Sequence, residues 1–160
     1  MGNTYGVAFC NTAANGCELC AIKVLDKGGS GSTSGIIAGI SHVVDYCSNH
    51  QGQKCVVNMS LGGGPQDTLD AAIRSAVEAG VTFILAAGNS AADACNYSPA
   101  RTAEAITVGS TAQGDTSSSF SNFGQCVDFW APGSSITSAY KTSSTDTAIM
   151  SGTSMACPRK

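Results

Sequence analysis

The sequence predicts an α/β fold with three layers and a mostly parallel sheet. Apolar runs of strand length alternate along the chain with segments whose apolar residues recur at helical spacing. Strands that alternate with helices are joined by crossover connections and form a parallel sheet. The 160 residues suit one domain, and 42% hydrophobic residues supply enough apolar surface for a core.

The first predicted elements are a strand, a helix and a second strand. Residues 19–25 form an apolar run that ends at a turn rich in Gly and Ser. Residues 33–47 carry Ile and Val side chains at helical spacing. Residues 55–60 form a short buried strand closed by a Gly-rich turn.

The middle of the chain repeats this alternation. Asp67 or Thr68 is the predicted N-terminal cap of a second helix, and Gly80 is its C-terminal stop. Residues 81–86 form a third strand and residues 106–110 a fourth.

After Ser119 the pattern changes to short strands and turns. These strands are predicted at residues 127–131, 136–140 and 147–150. Residues 151–156 then have the pattern of a turn that opens a helix. Because a parallel sheet needs helices on both faces and this chain ends at the start of a covering helix, we expect part of the core to be missing.

The charge and hydropathy of the chain exclude two classes of partner. Eight Lys and Arg residues stand against 11 Asp and Glu, for a net charge of −3. This balance gives no basic surface for nucleic acid. The longest apolar run, residues 81–87, is far too short to span a bilayer, so we expect no membrane partner.

Eight cysteines indicate an oxidising compartment. Eight cysteines can pair in 105 ways, and the count alone does not choose among them. A zinc site is disfavoured because only Cys17 and Cys20 have ligand spacing and no second pair answers them. The opening residues lack the basic and apolar regions of a signal peptide, so we expect a mature secreted form or a fragment.

A glycine-rich turn at residues 29–35 follows the first predicted strand and opens a helix. Its Gly spacing resembles a dinucleotide-binding loop, but the acidic residue expected after the next strand is absent. We therefore favour a tight turn at an edge of the sheet.

Two polar residues stand where catalytic groups are commonly placed. Ser154 lies between small residues at a turn that enters a helix, in a Gly-x-Ser-x-Ala pattern close to the elbow of α/β-hydrolases. Asn89 directly follows an apolar strand, where a side-chain amide is well placed to donate to an oxyanion. Taken singly, however, each residue also has a purely structural interpretation: Ser154 as a helix cap and Asn89 as a plain loop residue.

The order of several motifs resembles the subtilisin-like serine peptidases, closest to the aqualysin-like enzymes of the proteinase K branch. Residues 4–8 (TYGVA) and 23–26 (KVLD) are similar to the same branch. The resemblance covers essentially the whole chain apart from an insertion near Cys10 and Cys17. The ordered motifs are 60–63 (SLGG), 86–89 (AAGN), 96–100 (NYSPA), 120–124 (FSNFG), 131–133 (APG) and 151–156 (SGTSMA).

This resemblance implies a secreted, monomeric endopeptidase that acts on polypeptides through an acyl-enzyme. Ser154 corresponds to the nucleophile and Asn89 to the side-chain donor of the oxyanion hole. Two edges are expected to pair with an extended substrate backbone, and a third segment lines the primary specificity pocket. The edges are Gly29, Ser30, Gly31 and Ser60, Leu61, Gly62, and the pocket residues are Ala86, Ala87 and Gly88.

The resemblance also implies two stabilising features. Asp128, with the backbone carbonyls of Ala103 and Ala105, falls where this branch holds a structural calcium. The alternative interpretation of Asp128 is an ordinary solvated carboxylate in a turn. Cys95 and Cys126 correspond to a disulfide of the aqualysin-like group.

The remaining cysteines fit the resemblance less well. Cys47 and Cys55 flank a short loop that a disulfide would close, and Cys10 and Cys17 bracket the insertion. Cys20 and Cys157 are left without an obvious partner.

The triad of this family runs Asp, His, Ser along the chain, and only the Ser motif is present here. His42 and His50 lack the flanking residues of the catalytic base, and Cys157 stands where the family usually has Thr. The resemblance implies that residues 1–160 are a partial subtilisin-like peptidase domain, incomplete at both ends, without the N-terminal part that carries the Asp and His motifs and without the C-terminal helices. We therefore expect the 160-residue chain alone to be inactive.

Two alternatives remain open at this point. A lipase-type acyl hydrolase predicts a triad His after the Ser, where only a few residues follow. A non-catalytic, disulfide-rich extracellular binding module predicts that the complete protein lacks the Asp and His motifs.

Overall fold

The computed structural model describes residues 18–50, 54–141, 143 and 145–159. Its elements alternate as the sequence predicted. In chain order they are α1 (Thr33–Asn49), β1 (Val56–Met59), α2 (Asp67–Glu78), β2 (Thr82–Ala86), a 3-10 turn (Ala94–Asn96), β3 (Ile106–Thr111), β4 (Phe129–Pro132), β5 (Ile136–Ala139), β6 (Thr147–Met150), α3 (Thr153–Ala156) and a second 3-10 turn (Cys157–Arg159).

The predicted parallel sheet is confirmed. Four strands pair in the order β1-β2-β3-β4, and each pair is parallel. The carboxyl ends of all four strands therefore lie at one edge of the sheet, where ligands bind in α/β folds. β5 and β6 form a separate antiparallel hairpin that leads into α3.

The sheet is buried on both faces at its centre. Along β2, Phe83 and Leu85 pack with the apolar side chains of α1 and α2. The alternating residues Ile84 and Ala86 pack on the opposite face, in a cluster that includes Ala156 of α3. Both faces of β2 are covered because successive side chains of a strand point to opposite sides.

Two predictions about local structure are wrong. Residues 19–25 are not a strand, because no described residue forms a ladder with them; instead Val24 packs against α1. Neither Asp67 nor Thr68 caps α2, since the helix begins at Asp67 and its N-cap is Gln66. The carboxylate of Asp67 is engaged in an ion pair with Arg101.

Two disulfides join described cysteines. Cys47 and Cys55 are linked with an S–S distance of 2.12 Å. Cys95 and Cys126 are linked at 2.08 Å, which is the pair that the resemblance implied. The predicted pairing of Cys10 with Cys17 lies outside the described residues. Cys20 is a free, exposed thiol, and Cys157 is free and buried.

Candidate active site

A cavity of about 300 Å³ opens at the carboxyl ends of β1 and β2. Ser60 and Leu61 follow β1, and Ala87, Gly88 and Asn89 follow β2, so the two parallel strands deliver them to the same edge. Thr153 and Ser154 of α3 complete this side of the cavity. The structure thus brings together residues that are nearly one hundred positions apart in the sequence.

Ser154 lies in the first turn of α3 and is half-buried. Its hydroxyl donates to the carbonyl oxygen of Ser60 at 3.4 Å, and the Ser60 hydroxyl donates to the Ser154 carbonyl at 3.1 Å. The Gly152 N–H just before α3 donates to the Gly133 carbonyl at 2.8 Å. These bonds fix the serine against the end of β1 while leaving its hydroxyl weakly held, since 3.4 Å is long for an O–H donor.

The side chain of Asn89 has a defined orientation. Its Oδ1 accepts from the Thr153 N–H at 2.8 Å and from the Thr153 hydroxyl at 3.0 Å. A backbone N–H can only donate, so the atom facing Thr153 must be the oxygen. The Nδ2 group is consequently the free end of the amide, and it lies near Gly152 beside Ser154.

Thr153 is a site residue that sequence reasoning missed. Its fully buried hydroxyl donates to Asn89 and also accepts from the Gly88 N–H at 3.2 Å. One hydroxyl therefore ties α3 to both Gly88 and Asn89. In the sequence, only its position next to Ser154 in the Gly-Thr-Ser motif could have indicated this role.

A second cavity, of about 430 Å³, adjoins the first. The two predicted substrate edges, Gly29, Ser30 and Gly31 on one side and Ser60, Leu61 and Gly62 on the other, line it together. This geometry is a groove between two backbone segments, which is the shape that an extended peptide requires.

The glycine-rich loop is a tight turn that caps α1. The carboxylate of Asp26 accepts from the N–H groups of Gly28 and Ser30, and these bonds lower the pKa of Asp26. The Ser32 side chain accepts from the Gly35 N–H and caps the helix. Because a carboxylate of the chain already takes two of the loop amides, the geometry disfavours a nucleotide phosphate there.

Tyr97, Ser98 and Ala100 form a further wall of the first cavity, and the sequence analysis had given them no role. The Ser98 hydroxyl donates to the buried carboxylate of Asp70 at 2.8 Å, and Arg101 Nε donates to the same carboxylate at 2.6 Å. The hydrogen bond with Asp70 is the main cause of a raised Arg101 pKa. This network ties the wall to α2.

None of the predicted calcium ligands, Asp128, Ala103 and Ala105, lines either cavity. Asp128 is exposed, and its Oδ2 accepts from the Thr107 N–H at 2.8 Å while its own N–H donates to the Thr107 carbonyl. The carboxylate is therefore held by the start of β3, near Ala103 and Ala105 in the sequence. Cys126, two residues before Asp128, packs against the buried cluster of Ala87, Ala94 and Ala100.

Neither histidine reaches Ser154. His42 is exposed on α1, and His50 stacks on Tyr46 at a ring-centroid distance of 4.1 Å. Among the described residues no imidazole lines either cavity. This agrees with the prediction that neither histidine is the catalytic base.

Cys157 lies directly behind the serine-bearing turn. Its thiol donates to the Ile84 carbonyl at 3.3 Å, and burial raises the pKa of this thiol to about 11. The thiol is therefore protonated at neutral pH, and it behaves as a small core residue that attaches α3 to β2.

The fold and this serine-centred cavity define a class of protein. The chain matches the Subtilase family over residues 2–159, and it belongs to that family. The prediction of a subtilisin-like domain is thereby confirmed, and the lipase-type alternative is wrong.

Relatives with known names agree with this assignment. The chain is 52% identical over 157 residues to an extracellular serine proteinase of Thermus sp. (strain Rt41A) and 54% identical over 157 residues to alkaline serine exoprotease A of Vibrio alginolyticus. It also superposes with a TM-score of 0.80 on the crystal structure of a cold adapted subtilisin-like serine proteinase that is 51% identical.

The chain is shorter than these relatives. Each of the two named proteinases matches 98% of this chain, but the chain spans only 36% and 27% of their respective lengths. The superposition on the crystal structure covers 86% of this chain and 48% of the other chain.

Proposed function

We propose that this chain is part of a secreted serine endopeptidase that cleaves polypeptides through an acyl-enzyme at Ser154. The observation that carries the proposal is the placement of the Ser154 hydroxyl and the outward amide of Asn89 on one cavity, beside a groove between two backbone edges. A secreted location is supported by the two disulfides and by a relative named as an extracellular serine proteinase. No helix in the described part of the chain is long and apolar enough to cross a membrane.

In the proposed reaction the Ser154 oxygen attacks the carbonyl carbon of the scissile peptide bond. The hydroxyl proton passes to a base, and the carbonyl π electrons move onto the oxygen. The Asn89 Nδ2 group and the Ser154 backbone N–H then donate to the oxyanion. Collapse of this intermediate expels the amine, which takes the proton, and water later hydrolyses the ester.

The base is not among the described residues. We propose that it is a histidine supplied by sequence outside this chain, since the named relatives are much longer than 160 residues. Without a base, a serine hydroxyl is a weak nucleophile. We therefore expect the 160-residue chain alone to hydrolyse no peptide and to resist serine-directed phosphonates, whereas stoichiometric labelling of Ser154 would contradict this.

The two cavities divide the proposed substrate contacts. Gly29, Ser30 and Gly31 would pair with one side of an extended substrate, and Ser60, Leu61 and Gly62 with the other. Ala86, Ala87 and Gly88 would line the pocket for the side chain before the scissile bond. The enzyme is proposed to act as a monomer.

A structural calcium is part of the same proposal. Asp128 and the backbone carbonyls of Ala103 and Ala105 supply the hard oxygen donors that calcium prefers. The Thr107 N–H holds Asp128 Oδ2, and the other carboxylate oxygen makes no hydrogen bond within the described residues. The donor set therefore fits a calcium ion that stabilises the loop before β3.

The experiment compares Asn89→Ala with the wild type in the complete protein that carries this sequence. Because the Asn89 amide meets charge that develops only in the transition state, kcat should fall by about 10²–10³-fold, the range known for a subtilisin. KM for a peptide substrate should change little.

Ser154→Ala is the matched second variant. It should be far more damaging than Asn89→Ala, and adding Asn89→Ala to it should change little, because the serine must first create the oxyanion. A complete protein that cleaves no peptide would favour the extracellular binding module. A change confined to KM in Asn89→Ala would remove the oxyanion role.

A further inference from the structure

Asn122 is a fully buried polar residue that the proposed function does not use. It belongs to the segment 120–124, which was noted only as one of the ordered motifs. A buried amide has to satisfy its donors and acceptors within the protein, so its partners reveal what it holds in place.

The described hydrogen-bond partners of the Asn122 side chain all belong to the loop that carries Asn89. Outside that loop, the Asn122 backbone carbonyl accepts from the Ser121 hydroxyl at 2.9 Å. The Asn122 Nδ2 donates to the Ala87 carbonyl at 2.8 Å, and its backbone N–H donates to the Gly88 carbonyl at 2.9 Å. Its Oδ1 accepts from the N–H groups of Ser90 at 2.9 Å and Ala92 at 3.2 Å. Asn122 thus holds the backbone on both sides of Asn89.

The fit between Asn122 and this loop is also steric. Gly88 has φ of +103°, in the region that favours glycine, and a Cβ atom there would lie 2.4 Å from Asn122 Nδ2. The loop backbone therefore lies directly against the amide, and a shift of either one displaces the other.

Asn122 and Thr153 hold different parts of the same donor. Thr153 fixes the rotamer of Asn89 through the side-chain oxygen. Asn122 fixes the backbone from which the Asn89 side chain projects, without a hydrogen bond to that side chain. The free Nδ2 of Asn89 has a defined position only when both constraints are present.

We propose that Asn122 is a positioning residue that holds the oxyanion donor Asn89 in place. This inference rests on the proposed function, because it gives Asn122 a part in the same reaction. Oxyanion stabilisation depends on a donor fixed in advance, and a misplacement of about 1 Å costs about 10²-fold in rate.

The test is steady-state kinetics of Asn122→Ala in the complete protein, with a peptide substrate. We expect kcat to fall by about 10- to 100-fold and KM to stay within about threefold. Ser118→Ala is the matched control. It removes a buried hydroxyl from the same stretch of chain, one that bonds Ser110 and Ser134 and not the Asn89 loop, and it should leave kcat unchanged.

A double-mutant cycle separates positioning from a general structural role. In the Asn89→Ala background there is no donor left to position, so Asn122→Ala should lower kcat by no more than about twofold to threefold. A loss of kcat as large as in the wild-type background, or an effect confined to KM, would overturn the inference.

A milder variant keeps the test decisive if Asn122→Ala does not fold. Asn122→Asp has nearly the same shape, retains the acceptor for Ser90 and Ala92, and replaces the donor to Ala87 with a carboxyl oxygen. Its smaller loss of kcat should vanish in the same cycle, and persistence of the loss would count against positioning. If Asn89→Ala alone left kcat intact, the proposed oxyanion role of Asn89 would be wrong. If Asn89→Ala lowered kcat as expected but Asn122→Ala lowered kcat by the same factor with and without Asn89, only the role of Asn122 would be wrong.

Discussion

The two faces of the sheet are held in different ways. Under α1 and α2 the core contains large side chains, including Leu69, Ile73, Phe83 and Leu85. On the opposite face the buried cluster is built of smaller residues, among them Ala86, Ala131, Ala156 and Cys157. The only described helix packed there is the four-residue α3.

The difference shows what holds the turn that carries Ser154, the proposed nucleophile. A short helix over small side chains buries little apolar area, so its position cannot come from hydrophobic burial alone. Hydrogen bonds take this role instead, from Thr153 to Asn89, from Gly152 to Gly133 and from Cys157 to Ile84. One face therefore stabilises the fold, and the other positions the proposed catalytic residues.

The sharpest test of this contrast uses Ser154→Ala in the complete protein. Loss of the proposed nucleophile should lower kcat by about 10⁶-fold, a magnitude known for a subtilisin and carried over by family. The thermal midpoint should hardly change, because among the described residues the hydroxyl donates a single, long hydrogen bond. A midpoint lowered by many degrees would show that the serine also stabilises this face.

Phe83→Ala should have the opposite effects. Phe83 is 1% exposed at the centre of the large-residue face, and its truncation should lower the free energy of unfolding by about 3–5 kcal/mol. The kcat of the folded fraction should remain near the wild-type value. Denaturant unfolding with parallel kinetics measures both quantities, and a large loss of kcat at full folding would contradict the division between faces.

The two disulfides should differ in the stability that they provide. The Cys95–Cys126 bond closes a separation of 31 residues, and the Cys47–Cys55 bond closes one of 8. Chain entropy gives about 4 kcal/mol for the first and about 2.5 kcal/mol for the second. Paired Cys→Ala variants, compared by denaturant unfolding, check the order, and an equal or reversed ranking would contradict it.

Calcium removal should act on the loop before β3 and not on the catalytic turn. A ligand at about 100 times its dissociation constant stabilises the folded state by about 2.7 kcal/mol. Chelator should therefore lower the thermal midpoint, and Asp128→Asn should blunt that response. An unchanged midpoint with chelator would remove the calcium proposal.

The smallest expected effect concerns the pH dependence at Cys157. Its pKa rises from an ordinary value of 9.0 to about 11 on folding. Between these pH values the unfolded chain has lost the thiol proton and the folded protein retains it, so stability falls as pH rises. The loss should reach about 2–3 kcal/mol near pH 11.

Cys157→Ala is the control for that window. Unfolding measured from pH 8 to 11 should show a shallower decline in this variant than in the wild type. Identical slopes would mean that the thiol does not couple to folding.

The exposed Cys20 should react rapidly with an alkylating reagent, and Cys157 should react only after unfolding.

Local pattern predicted most of the helices and strands that the structure describes. The predicted strand at residues 147–150 matches β6, and the predicted helix at 33–47 differs from α1 by only two residues at its end. Residues 19–25 have the same apolar pattern and form no strand, because strand formation requires a neighbour that periodicity cannot supply. Asp67 failed as a cap for a similar reason, since Arg101, 34 residues further on, takes its carboxylate.

The sequence by itself determined the α/β class and the family, because these depend on periodicity and on motifs that are local in the chain. It also pointed to Ser154 and Asn89 through their motifs. Only the tertiary structure decided which end of the Asn89 amide faces outward and which residues hold it. Thr153 holds the Asn89 side chain from 64 positions away in the sequence, and Asn122 holds the neighbouring backbone from more than 30 positions away. These hydrogen bonds depend on the distances between separate elements, which residue type and spacing do not give.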